Sequence, residues 1–158
     1  ERVWRFTSEP ELIPLLDSVA GQASRTIWIY DRLLEHSIYD RPTLRQILSD
    51  LARRHRASEV RILIHDDKPL VKRRHGLVEL IRRLPSHMTL KLVNTDYPCE
   101  DTAFLLADSE SLIYRHDGAR PAGFASFSHA GRVRQLAEAY QRMWEVARPS
   151  IELRELPL

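Results

Sequence analysis

Residues Asp101–His116 read D-T-A-F-L-L-A-D-S-E-S-L-I-Y-R-H. Apolar side chains fill the middle of the stretch, and polar ones stand at its two ends and at the turn Asp108-Ser109-Glu110. The pattern predicts two short strands, Ala103–Ala107 and Ser111–Arg115. They form a hairpin set in the centre of a sheet, with its ends facing a pocket.

Upstream of the hairpin, strands and helices alternate. Val3–Thr7 reads as a short edge strand. Ser8 and Glu11 have the spacing of a capping box for a helix to about Ala23, with Leu12, Leu15, Leu16 and Val19 on one face and Pro14 as its weak point. Arg25–Asp31 is rich in β-branched and aromatic residues and reads as a strand. Arg32–Tyr39 is ambiguous. Asp40 is placed to cap a helix over Arg41–His55, and Leu44, Ile47, Leu48 and Leu51 give it a sheet-covering stripe. Val60–Ile64 is a buried strand. A helix follows from Pro69 to about Leu84, with Asp66 or Asp67 as its cap, and then a strand over Met88–Val93. Downstream of the hairpin, Asp117–Phe127 carries the turn signals of a loop. Ser128 opens a helix to about Ala147, and Ile151–Glu155 suits a final strand. Trp4, Trp28 and Trp144 read as core anchors. The order predicts an α/β fold, a three-layer α/β/α sandwich on a mostly parallel mixed sheet.

Composition narrows the function classes. With 158 residues, 43% hydrophobic and 29% charged, the chain reads as one domain over residues 1–158,. It opens on Glu1, which fits a fragment of a longer chain. No apolar run approaches the length of a membrane span, and the single cysteine, Cys99, fits a reducing, cytoplasmic setting. Net charge is only +2, but arginine is clustered in Arg53-Arg54-His55-Arg56, Lys72-Arg73-Arg74-His75 and Arg82-Arg83. Such runs are either solvated helix faces or an anion or nucleic-acid footprint. No aromatic residues interleave with them, as stacking on single strands would require.

The hairpin and its surroundings resemble a half-domain of the phospholipase D superfamily, whose motif is H-x-K-x4-D followed by G-S. The shared features are the spacing of Asp101 and Asp108, the strand–helix order and the closing helix A-E-A-Y-Q-R-M-W-E. In that register Asp101 stands at the His position, Ala103 at the Lys position and Asp108 at the Asp position. Arg115-His116 stands at Gly-Ser. The resemblance implies that His attacks phosphorus and that Lys balances the phosphoryl charge. With both replaced, the chain is expected not to be an enzyme. The stretches I-W-I-Y-D-R-L-L, V-R-I-L-I-H-D, F-L-L-A-D-S-E-S-L-I-Y-R and R-P-A-G-F-A also resemble an uncharacterised proteobacterial module often appended to GNAT-type N-acetyltransferases. That likeness implies an acetyltransferase domain as a fused or neighbouring partner.

In an open α/β sheet, ligands bind beyond the carboxyl ends of the parallel strands. Asp31, Arg32, His65, Asp101, Arg115, His116 and Arg120 would meet there. As a group they fit helix caps and loop contacts, or a pocket for a small anionic ligand with Arg32, Arg115 and Arg120 as forks. A metal site would draw on His36, His65, Asp101 and His116, yet no HxxH spacing supports it, and no cofactor is expected. The expected function is a binding or regulatory module without catalysis. Nucleic-acid binding through the arginines and homodimerisation are the alternatives.

Overall fold

The hairpin forms as its pattern requires, and everything else is stacked around it. A computed structural model of the chain describes residues 2–157. Strands β5 (Ala103–Ala107) and β6 (Ser111–Arg115) are buried at every position and lie inside the sheet. The remaining strands are β1 (Trp4–Phe6), β2 (Thr26–Asp31), β3 (Glu59–Ile64), β4 (Met88–Leu92), β7 (Gly123–Ser126) and β8 (Arg148–Pro149). Among the described residues they make one sheet in the order β1-β7-β6-β5-β2-β3-β4-β8. The pairs β2–β3 and β3–β4 are parallel, and the other neighbours are antiparallel. The sheet is therefore mixed: β1, β2, β3, β4 and β6 run one way, and β5, β7 and β8 run against them.

Side-chain alternation along the strands splits the core in two. Ile27, Ile29, Val60, Ile62, Leu105 and Ile113 meet α1 (Glu9–Gly21), α3 (Pro42–Arg54) and α5 (Gly76–Arg83). Tyr30, Leu63, Phe104, Leu106 and Tyr114 meet α6 (Ala130–Glu145) on the other face. That second face is aromatic. Tyr140 stacks between Trp28 and Trp144 at 5.0 and 5.8 Å between ring centres. Arg61 lies over both tryptophans and donates to Gln141 Oε1 at 2.8 Å. Trp28 and Trp144 are thus core anchors as expected, whereas Trp4 is 41% exposed on the edge strand.

Several local expectations are corrected. Ser8 precedes α1, but its side chain caps nothing; Glu11 instead accepts from Thr7 N–H at 3.0 Å, one residue earlier than a capping box. The ambiguous Arg32–Tyr39 stretch ends in the short helix α2 (His36–Tyr39), after Leu34 takes a left-handed φ of 58°. A leucine there costs on the order of 1 kcal/mol, which its complete burial offsets,. The supposed loop Asp117–Phe127 contains β7. Gly123 is needed there because a methyl would overlap the Tyr114 carbonyl of β6. The N-cap position of the last helix is His129 rather than Ser128, with no cap bond from its side chain. Ile151–Arg154 is a helix, α7, not a strand, because Ser150 Oγ accepts from Leu153 N–H and so caps it.

The single helix expected over Pro69–Leu84 is two: α4 (Lys68–Lys72) and α5, separated by Arg73–His75. Neither Asp66 nor Asp67 gives α4 a side-chain cap of the expected kind. Asp66 accepts from Lys68 N–H, and Asp67 accepts from Ser150 Oγ at 2.6 Å. The break is made by acceptors that arrive from elsewhere. Buried His75 accepts from Leu77 N–H at its Nδ1, and its Nε2 lies 3.1 Å from the Leu34 carbonyl. Asp40, expected to cap α3, accepts instead from Gly76 N–H at 2.9 Å. Two side chains thus receive the first free N–H groups of α5.

These bonds require His75 to be neutral, with the proton on Nε2. Burial pushes its pKa down to about 4, against the pull of Asp40. The unfolded chain takes up this proton near pH 6.5 and the folded chain only near 4, so stability falls as pH drops through that window. The full loss is about 3 kcal/mol at most. The variant His75→Asn keeps a donor and an acceptor without the titration. Urea midpoints at pH 7 and pH 4.5 should diverge more for the natural chain than for this variant.

Candidate functional site

Asp31 ends β2 and Arg115 ends β6, with β5 between them. Ala103 of β5 is paired with Arg115, and continuing the β2–β5 register from Tyr30–Phe104 brings Asp31 to its other side. All three side chains leave the same face of the sheet. Arg115 Nη2 donates to Asp31 Oδ2 at 2.6 Å, and both side chains are essentially fully buried. The ion pair therefore passes directly over the methyl group of Ala103, spanning two strand spacings of about 4.8 Å each.

The pair is well supplied with further partners. Arg32 N–H donates to Asp31 Oδ1 at 2.7 Å. Arg115 Nη1 donates to the carbonyls of Gly118 and Arg120 at 3.4 and 3.3 Å, and lies 3.6 Å from Glu35. The buried Tyr39 hydroxyl interacts with both charges. Burial raises the Asp31 pKa, and the Arg115 charge opposes that rise. Burial and the Asp31 charge likewise raise Glu35, again against Arg115. Burial pulls Arg115 down, but Tyr39, Asp31 and Glu35 together hold it above its usual value. The guanidinium pairs with both carboxylates of this pocket, Asp31 and Glu35.

A second group sits on the opposite face of the same rim. The Tyr30 hydroxyl donates its only proton to the Glu100 carbonyl at 2.6 Å. His65 Nε2, 2.8 Å from that oxygen, must then be the donor. Burial lowers the His65 pKa, while exposed Asp101 raises it and Arg32 lowers it further. Tyr30, Tyr97, Glu100, Phe104 and Arg142 line a cavity of about 200 Å³ beneath α6.

The seven expected site residues are therefore divided. Asp31 and Arg115 are joined inside the fold. His65 is half-buried beside Tyr30, with exposed Asp101 and Arg32 near enough to act on its charge. His116 is exposed and packs edge-on against Tyr114 at 4.9 Å. Arg120 is 78% exposed, 3.4 Å from neighbouring Asp117. Arg115 and Arg120 are thus not forks into one pocket. His36, His65, Asp101 and His116 do not converge. No group of three or more potential metal ligands is found among the described residues. Sequence reading missed Glu35 and Tyr39, which lie in the ambiguous Arg32–Tyr39 stretch. Tyr30, which leaves the end of β2 beside Asp31, joins the rim through His65 and Glu100.

Asp108 is structural. It has a left-handed φ of 54° at the hairpin turn. Its carboxylate accepts from the N–H groups of Ser24, Arg25 and Thr26 at 2.9, 2.9 and 3.0 Å. Partial burial pushes its pKa up, but these bonds outweigh it and hold the carboxyl below its usual value. It fastens the hairpin to the start of β2.

The fold matches those of solved phospholipase D family members. The phospholipase D family member Nuc from Salmonella typhimurium has a TM-score of 0.64 and 14% identity over 94% of this chain and 99% of its own. NucT from Helicobacter pylori has a TM-score of 0.63 and 11% identity over the same shares. TrmBL2, an archaeal chromatin protein, has a TM-score of 0.65 and 14% identity over 95% of this chain. This chain spans only 55% of TrmBL2. No curated protein matches the sequence. The chain belongs to the family described as domain of unknown function DUF7931, which matches residues 9–156.

Removing one partner of the buried pair should cost more than removing both. Arg115→Met strands Asp31 in a dry site and is expected to lower stability by about 3–5 kcal/mol. The double change Asp31→Leu with Arg115→Met should recover at least half of that loss in equilibrium urea unfolding.

Proposed function

We propose that this chain is a non-catalytic binding or regulatory module on a phospholipase D-like scaffold. The observation that supports this reading most is the Asp31–Arg115 pair lying over Ala103. In the register of the resemblance, the phospholipase D motif has a lysine at that position. Here a lysine ammonium would enter a space without solvent, beside Arg115, and the ion pair already fills it. Asp101, at the nucleophile's position, is an anion that repels a phosphodiester and lacks the lone-pair nitrogen of histidine. Losing both groups removes several kcal/mol of transition-state stabilisation each. This reading takes the partner to be a neighbouring N-acetyltransferase domain, a second copy of the chain or a small anionic ligand.

The purified chain is expected to release no nitrophenol from bis(p-nitrophenyl) phosphate above the uncatalysed rate. Asp101→His combined with Ala103→Lys should stay inactive and be less stable. Turnover by the natural chain that disappears in Asp101→Asn and in His116→Ala would overturn the reading.

A second reading is nucleic-acid binding. TrmBL2 is described as binding DNA in a novel mode, and two of the arginine runs here lie on one side of the molecule. It predicts that a short DNA duplex is shifted in electrophoresis, and that the shift weakens steeply between about 50 and 200 mM salt.

A further inference from the structure

The break between α4 and α5 brings together arginines that the sequence keeps apart. Arg73 and Arg74 lie in the break, Arg82 and Arg83 at the end of α5, and Arg45 comes across from α3. All five line one hollow of about 700 Å³. Two carboxylates share it, and both are already engaged: Asp40 with Gly76 N–H, and Glu79 with Arg74. Arg45, Arg73, Arg82 and Arg83 have no carboxylate within ion-pair distance among the described residues.

The hollow is built rather than incidental. His36 Nε2 lies 3.3 and 3.2 Å from the carbonyls of Arg73 and Arg74 and pins the break. Its ring packs on His75 at 4.6 Å. Gly76 lets the Arg45 guanidinium lie against the start of α5, where a methyl would collide with both Arg45 and Asp40. Four like charges brought this close repel one another, and an anion among them relieves that repulsion. Guanidinium forks suit phosphate oxygens in particular, because each can give two parallel hydrogen bonds.

Shape narrows the ligand further. The hollow shares Arg74, Glu79, Arg82 and Pro157 with a second cavity of about 440 Å³. That cavity adds the apolar side chains of Leu70, Val71, Val78 and Leu156. A basic wall therefore continues into an apolar one. The run Arg53–Arg56 does not extend this surface: Arg54 donates to the Ala23 carbonyl at 2.8 Å, and none of its arginines lines the hollow. The positive charge is concave and short, unlike the strip that tracks a nucleic-acid backbone.

We propose that the hollow along α5 binds a phosphorylated small molecule. Its phosphates sit among Arg45, Arg73, Arg82 and Arg83, and its apolar part lies against Val71 and Val78. The site shares no residue with the Asp101 rim, so it stands whether or not the rim has kept any chemistry.

Calorimetric titration of the full chain with ATP, inorganic triphosphate and a short DNA duplex tests this. ATP should bind saturably and more tightly than inorganic triphosphate. Arg73→Ala with Arg83→Ala, both exposed positions, should weaken ATP at least about tenfold while leaving the melting curve in place. Arg53→Ala with Arg56→Ala should leave ATP binding unchanged. Absence of saturable binding by ATP and triphosphate alike overturns the proposal, as does equal loss from the two arginine pairs. Triphosphate binding as tightly as ATP removes the apolar contact from it. Duplex binding tighter than ATP replaces it with the nucleic-acid reading.

Discussion

The buried bond between Asp31 and Arg115 fixes several parts of this molecule at once. It ties β2 to β6 across β5, so the three central strands cannot slide in register without breaking a dry ion pair. Through Glu35 and Tyr39 it holds the segment after β2. Through the carbonyls of Gly118 and Arg120 it shapes the turn after β6. A buried pair adds little net stability over apolar replacements, but it penalises every arrangement in which only one charge finds its partner. In this fold that penalty selects a register and two loop conformations together.

The same pair accounts for what the sequence did and did not disclose. The hairpin was legible to the residue, because continuous apolar runs around a three-residue turn have few other solutions. The phospholipase D-like fold was legible from the strand–helix order, the hairpin and the closing helix, taken with the spacing of Asp101 and Asp108. The division of the rim was not, because sequence says which residues lie near one edge of a sheet but not which face each takes. Arg115 looked like a fork for an anion. Alternation along β6 sends it to the α1 side, where Asp31 is waiting. His116, one residue on, goes to the other side.

Helix boundaries failed where the decisive partner was distant. Between Pro69 and Leu84 only Gly76 hints at a break, since His75 is an unremarkable helix residue until the Leu34 carbonyl lies against it,. Asp40 is a plausible cap for the helix that follows it and in fact serves one that begins at Gly76. The Arg73-Arg74 run could be read as a solvated face for the same reason. Only the break turns it towards Arg82 and Arg83. β7 was hidden by Gly123, whose turn-like character reflects close approach between strands rather than a loop.

The edges of the sheet come from the two ends of the described chain. β1 closes one side by pairing with β7, and β8 closes the other by pairing with β4. During synthesis β1 has no sheet neighbour until β7, far along the described chain, has emerged. Closing so long a loop is slow, and an unpaired strand with exposed Trp4 is open to foreign strands in the meantime,. The order of assembly therefore runs outward from β2–β3–β4. β1 is thus among the last strands to be secured,.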